Sequence, residues 1–436
     1  MKRQLAALLA AALLVTAAGC SGGGGTGGSA SAPVDPAKVS GDITVLTHKT
    51  DLAGDGTLDK YAAEFNKIYP NVHVKFEPIV AYENDVKIRM NSDDYGDVLM
   101  IPAAIPVADY PKFFAPLGGS AELDQKYRFI DNGTYNGQVY GIAINGNATG
   151  IVYNKAVWQQ AGVTKWPTSA DEFRSALQAI KTKTAATPLY TIYHEGWPLT
   201  AWQSYLGSNS CDTKASDNLA TDTAPWASGK ELNQVDSLLY SVVRDKLTEA
   251  DPTTTAWDAA KSQIATGKTG TLMLASWAIS QMQAAAKSAG SDPANIGFMP
   301  WPAQVGGKFC SMIGPDYMQG VSIHSKNKEA ARAWVDWFVD KSPYAQDQQL
   351  LPTLKTGEMP STLKAYQDAG VQFIQLSQAN NGQLSKIDNE SEIGLNKPEY
   401  RQHIVDLARG AAKGTLEEYF EQLNKKWAAA VKTVGP

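Results

Sequence analysis

Short β-branched runs alternate with helical periodicities along most of the chain. Residues 43–47 (ITVLT) read as a buried strand; Leu58, Tyr61, Ala62, Phe65 and Ile68 then fall at helical spacing until Pro70 stops the helix. Residues 72–76 (VHVKF) predict a second strand, 82–90 a helix and 97–101 (DVLMI) a third strand. Strand–helix–strand–helix–strand with short turns predicts a parallel sheet covered on both faces. The pattern resumes with strand-like segments at 139–144 and 150–153. Ser169 and Glu172 form a capping-box signature ahead of Phe173, Leu177 and Ile180. Leu232, Val235, Leu238, Leu239 and Val242 mark a further amphipathic helix, and 270–275 (GTLMLA) an inner strand. Residues 327–341 predict a helix with Trp334, Trp337 and Phe338 on one face. Thr415 and Glu418 cap a last helix that buries Leu416, Tyr419, Phe420, Leu423 and Trp427. No repeat of solenoid or propeller period interrupts this α/β order.

The N-terminus departs from that pattern. Lys2 and Arg3 precede an apolar run over 5–18, shorter than the about 20 residues a spanning helix needs. A positive start, a short apolar body and small residues after it describe an export signal over 1–19. Its end, Ala17-Ala18-Gly19-Cys20, resembles the lipobox of bacterial lipoproteins, with Ala17 where a large aliphatic residue is usual. That resemblance implies that Cys20 becomes a lipidated (palmitate-bearing) N-terminus holding an extracytoplasmic body on the cell membrane. A plain signal peptide with an incidental cysteine is the alternative. The Gly/Ser/Ala-rich stretch that completes 20–40 reads as a flexible tether. The rest of the composition narrows the function. The 436 residues, 43% of them hydrophobic, suit two to three globular domains. A formal net charge of −5 argues against a nucleic-acid partner. Five His and three Cys leave little for a zinc cluster, and neither a metal nor a cofactor is expected. Cys211 and Cys310 are the cysteines beyond Cys20, and export favours a disulfide between them.

Several phrases in order carry a family resemblance. Phe65-Asn66-Lys67-Ile68-Tyr69-Pro70 closes the first helix, and Gly96-Asp97-Val98 opens the third strand. Tyr140-Gly141-Ile142 is followed by Tyr153-Asn154-Lys155, Ala161-Gly162-Val163 and Trp166-Pro167-Thr168 before Glu172-Phe173. Gly267-Lys268 leads into Gly270 and on to Trp277, and Ser325-Lys326-Asn327-Lys328-Glu329-Ala330-Ala331 starts a helix. Together these resemble family 1 of the bacterial extracellular solute-binding proteins, the group that includes maltodextrin-binding proteins. Gly96 stands where that family usually has Pro. The resemblance implies an α/β fold of two lobes, each a sheet flanked by helices, joined by a hinge that the chain crosses three times. The crossings are expected near Ile144, near Pro302, and between Lys341 and Pro352. Lobe 1 would then hold 41–144 plus 303–345, and lobe 2 would hold 145–302 plus 346–436. The family further implies a sugar or oligosaccharide bound between the lobes and delivered to the permease subunits of an ABC transporter. The chain has no G-x-x-x-x-G-K-[ST] of its own, so ATP hydrolysis would belong to a partner.

A sugar offers hydroxyls to polar side chains and C–H faces to aromatic rings. Trp334, Trp337, Phe338 and Trp427 lie on helical apolar faces and are assigned to packing. Trp277 follows a strand directly, where the resembled proteins place a stacking tryptophan. Trp197, Trp202 and Tyr400 could serve the cleft or the core. Asn145 and Asn147 follow the first crossing, where they could bind hydroxyls or stabilise a hinge turn. His48, Thr50 and Asp51 follow the first strand, and Asp316 and Tyr317 sit in a returning loop. Residues 51–59 lack the acidic third position and the twelfth-position Glu of a calcium loop. Residues 388–392 (DNESE) read as a solvated acidic loop. A lipid-anchored glycosidase, needing two carboxylates about 5–9.5 Å apart, is the rival from another class. The same fold holding a non-sugar solute is the second alternative. No catalytic residue is assigned, and a monomer is expected.

Overall fold

A computed structural model describes residues 35–435. The expected signal at 1–19, the lipidated Cys20 and the tether as far as residue 34 lie outside the described residues. The last part of the expected tether is structured: Val39 is buried and Ser40 already opens the first strand.

The first sheet has the order β2-β1-β3-β13-β7. Strands β1 (Ser40–Thr47), β2 (Asn71–Pro78) and β3 (Val98–Met100) are parallel, as the alternation of strands and helices predicts. Strands β13 (Met318–Val321) and β7 (Ile142–Ala143) complete it in antiparallel pairs. The sheet is therefore mixed. β13 arrives from a distant part of the chain through a short turn at Asp316 and Tyr317, a long-range return that local periodicity does not encode. The expected strand over 139–144 is split as well. Tyr140 and Gly141 separate β7 from β6 (Gln138–Val139), which pairs with β4 (Gly118–Gly119) and β5 (Thr134–Tyr135) in a small sheet of its own. A Cβ on Gly141 would sit 2.8 Å from Ile101 and 3.0 Å from Met318, so the break is packed tightly against the sheet. Behind β1 the helix Lys328–Asp340 buries Trp334 and Trp337 against Phe65 and Phe338 against Tyr61, as expected from its spacing.

A second sheet, β10-β9-β11, is built from β9 (Ile151–Asn154), β10 (Thr271–Leu272) and β11 (Ile296–Met299), all antiparallel. The expected inner strand at 270–275 is cut to two residues because the chain turns at once, Leu274 N donating to Leu272 O. This sheet stands between two buried cores: Ile151 and Met299 join one that includes Leu177, Leu239 and Trp427, while Val152, Leu272, Ile296 and Phe298 join the core of the first sheet. Ser169 caps its helix by accepting from Glu172 N, but the Glu172 carboxylate accepts from Thr168 rather than closing the box. The Thr415–Glu418 box closes in both directions. The acidic stretch 388–392 is not an open loop. It ends the helix Asn381–Ser391, and the Asp388 carboxylate accepts from Gly394 N and Leu395 N.

Between the two lies a third sheet, β14-β12-β8, made of β8 (Gly146–Ala148), β12 (Cys310–Pro315) and β14 (Gln372–Gln375). The disulfide Cys211–Cys310 ties the start of β12 to the loop that follows residues 201–205. Further on, Leu351 bridges Gly146, Arg128 N donates to Thr353 O, and Lys355 N donates to Lys126 O. Residues 351–355 are thus laced to segments that pack on the first sheet.

Candidate functional site

The residues that follow strand β1 open a cavity of about 350 Å³ lined by Lys49, Asp51, Asn147, Trp277, Asp316 and Gln348, among others. This is where an open parallel sheet presents its ligand crevice, at the carboxyl ends of its strands. A wider groove of about 1080 Å³ lies at the other end of the same sheet, lined by Asp42, Thr44 and Asp97. Its charges are largely spent on one another: Arg89 meets Glu77, His324 lies 3.3 Å from Asp93, and Asp97 accepts from Thr44 N and Ser325 Oγ.

Beside the cavity, but not lining it, His48 packs on Tyr317 with ring centroids 4.3 Å apart and meets the edge of Tyr82 at 5.8 Å. Burial, with Lys49 adding to it, pulls the His48 imidazole down from 6.5 to about 3. The ring is neutral at physiological pH, and its buried Nδ1 has no partner among the described residues. Tyr82 is locked: its hydroxyl accepts from Met100 N and donates to Met100 O. Burial and the adjacent Glu83 carboxylate raise the Tyr317 phenol. Lys49 Nζ lies 3.9 Å from Asp316, a loose pair at the mouth of the cavity. Asp51 stands in the first turn of the helix Thr50–Gly54, and Thr50 is exposed and does not line the cavity.

The floor comes from the middle sheet. Asn147 of β8 lines the cavity, and its buried Oδ1 has no partner among the described residues. Asn145 is fully buried instead. Its amide donates to Gly146 O and its own carbonyl accepts from Asp316 N, so it braces the turn beneath the wall, the structural alternative for this residue.

The opposite side of the cavity is lined by Trp277, Ser280 and Gln281, and Trp197 and Trp257 stand by Trp277 without lining it. Trp277 begins the helix Ala278–Ser288, with Trp197 and Trp257 each 5.8 Å from it and 5.1 Å from one another. Trp197 is 37% exposed. Trp257 was not expected from the sequence. It opens a helix directly after a Thr-rich turn, as Trp277 opens one after a strand, and that shared position is the signal that could have found it. Lys49, Ser280, Gln281 and Gln348 also line the cavity without having been singled out. Lys49 stands between two residues that were.

Tyr400 is elsewhere. It is 2% exposed, and its hydroxyl accepts from Trp226 Nε1 at 2.6 Å and donates to Asp236. Asp236 also holds the buried Arg401 guanidinium at 3.0 Å. The placement of Tyr400 in the cleft is therefore corrected: an aromatic two residues after Pro398 gives the same pattern whether it turns to a ligand or to a buried ion pair. Trp202 is likewise core, packed on Tyr205 and Trp301.

Residues 49–345 match the family described as bacterial extracellular solute-binding protein. A binding protein of an ABC transporter from Bifidobacterium animalis subsp. lactis, solved with mannobiose, is 32% identical with a TM-score of 0.81, covering 92% of this chain and 96% of that one. A manno-oligosaccharide-specific protein from the same organism, solved with mannotriose, is 29% identical with a TM-score of 0.82, covering 91% and 96%. Among curated proteins, a multiple sugar-binding protein of Streptococcus mutans is 31% identical over 34% of this chain and 36% of its own length. A melibiose/raffinose/stachyose-binding protein of Bacillus subtilis is 26% identical over 50% of this chain. The chain spans about a third to a half of the length of these curated relatives, 36% and 51%.

Proposed function

Because the chain belongs to the bacterial extracellular solute-binding proteins, we propose that it captures an oligosaccharide in this cleft and delivers it to the permease subunits of an ABC importer. One observation carries the reading: Trp277, backed by two further tryptophans, shares a single cavity with Lys49, Asp51, Asn147 and Asp316. An indole takes the C–H face of a sugar ring, while carboxylates, amides and an ammonium take its hydroxyls. Neutral His48 adds one donor and one acceptor. The manno-oligosaccharide complexes that align with nearly the whole chain make short mannose chains the first ligands to test.

The division into lobes follows the sheets. Lobe 1 takes the first sheet and lobe 2 the second, with β8, β12 and β14 at the crossings. The contacts of residues 351–355 with 126–128 favour a third crossing after residue 355, later than the 345/346 border expected from the sequence. The body works as a monomer, carries no chemistry of its own, and is held at the membrane by a lipid on Cys20.

Calorimetric titration of the secreted body with mannobiose, mannotriose, raffinose and stachyose tests this. Saturable binding of at least one without conversion is the expected result. Binding of none, or hydrolysis of any, overturns it.

A further inference from the structure

Strand β8 is an outer strand of its sheet. Asn147 pairs inward with Gly314 and Ala148 with Ile313, which leaves the other edge of β8 to be satisfied within a buried setting. Leu351 covers that edge at Gly146, and Ser276, fully buried, covers it at Ala148. Its backbone N donates to Ala148 O at 2.9 Å, and its Oγ accepts from Ala148 N at 3.0 Å. A side-chain oxygen here takes the place that a neighbouring strand's carbonyl would fill. The residue next along the chain is Trp277, whose helix starts with no side-chain cap. The strand it grips is fixed in turn. Thr149 Oγ1 accepts from Met312 N at 2.9 Å, and Ser311 Oγ donates to Thr149 O at 2.7 Å, so β8 and β12 are stitched by buried hydroxyls.

We propose that Ser276 is a positioning residue for ligand capture: it locks Trp277 to the crossing strand β8, so that the ring keeps a fixed place relative to Asn147 on the cavity floor. Ser276 touches no ligand and acts through its neighbour. Without the hydroxyl, Ala148 N–H is left buried and unpaired, and the turn that aims Trp277 is held by one bond instead of two. This inference rests on the carbohydrate reading of the cleft.

The test is a double-mutant cycle with mannotriose as the probe, on the intact secreted body. Ser276→Ala should weaken binding by about tenfold, and Ser276→Cys, isosteric with a weaker acceptor, by less. In a Trp277→Ala background the same Ser276→Ala change should cost less than about twofold, because the group it positions is gone. Equal losses in both backgrounds, or a Ser276→Ala protein that binds as the wild type does, overturn the inference while leaving the carbohydrate reading intact. If Ser276→Ala does not fold, the Cys variant completes the cycle. A wild type that binds no sugar overturns the reading and the inference with it.

Discussion

Truncating Trp277 to Ala sets a binding role against a packing role. If the ring is the central anchor, affinity falls by about 2 kcal/mol, roughly thirtyfold, while the unliganded protein melts near the wild-type temperature. A core tryptophan would instead cost several kcal/mol of stability through the cavity left behind. Calorimetry with the ligand and thermal unfolding without it distinguish the two. Tyr400 should behave oppositely. Tyr400→Phe removes a hydrogen bond to buried Asp236 and leaves Trp226 Nε1 one acceptor short, so stability drops by about 1–3 kcal/mol with sugar affinity unchanged. His48 makes a prediction about pH. Its folded pKa, about 3, lies below the ordinary 6.5, so the unfolded chain takes up a proton first as the solution is acidified. Its contribution to stability is complete above pH 6.5 and is lost as pH falls from there toward 3, by at most about 1.4 kcal/mol per unit. His48→Gln should flatten that part of the stability curve in urea titrations run at successive pH values. At this scale the sequence marks residues that follow strand ends, such as Asp51, Asn147, Asp316 and Trp277. It does not separate Tyr400 from a ligand contact, because Asp236 and Trp226 reach it only through the fold.

Caps and strands differ in how much of them a local pattern determines. The Thr415 box and the Ser169 cap are set within four residues, and both are legible. Thr415→Ala should cost about 1 kcal/mol in chemical denaturation. Ser169→Ala should cost no more, since Glu172 is already engaged by Thr168. Strand direction is a different matter. The parallel β2-β1-β3 core follows from crossover helices between consecutive strands, but β13 and β7 run against it because of where a distant segment re-enters. Strand length is misjudged for a related reason. The apolar run at 270–275 serves two structures, a short β10 and the turn whose Ser276 pairs with β8, and hydrophobicity alone does not show where one ends.

For the whole molecule, the ligand contacts proposed on both walls of the cleft would tie capture to shape. A ligand that bridges Trp277 and the His48–Asp51 end favours whichever arrangement brings these walls together, by its differential contacts with the two states. Small-angle scattering should therefore show a smaller radius of gyration with a bound sugar than without. Replacing Cys20 with Ala should release the protein into the medium or leave the precursor uncleaved; undiminished membrane retention would count against the lipid anchor. The covalent link from Cys211 to Cys310 has its own consequence for a protein working outside the cytoplasm. The two cysteines are 99 positions apart, and the exposed turn at 228–230 lies between them. A protease that cuts there once opens the chain without parting it. The nicked molecule should run as one species on a gel until a reductant is added and as two afterwards. A hydrolysed peptide bond thus becomes a wound the protein can carry, since both new ends remain attached to the same particle.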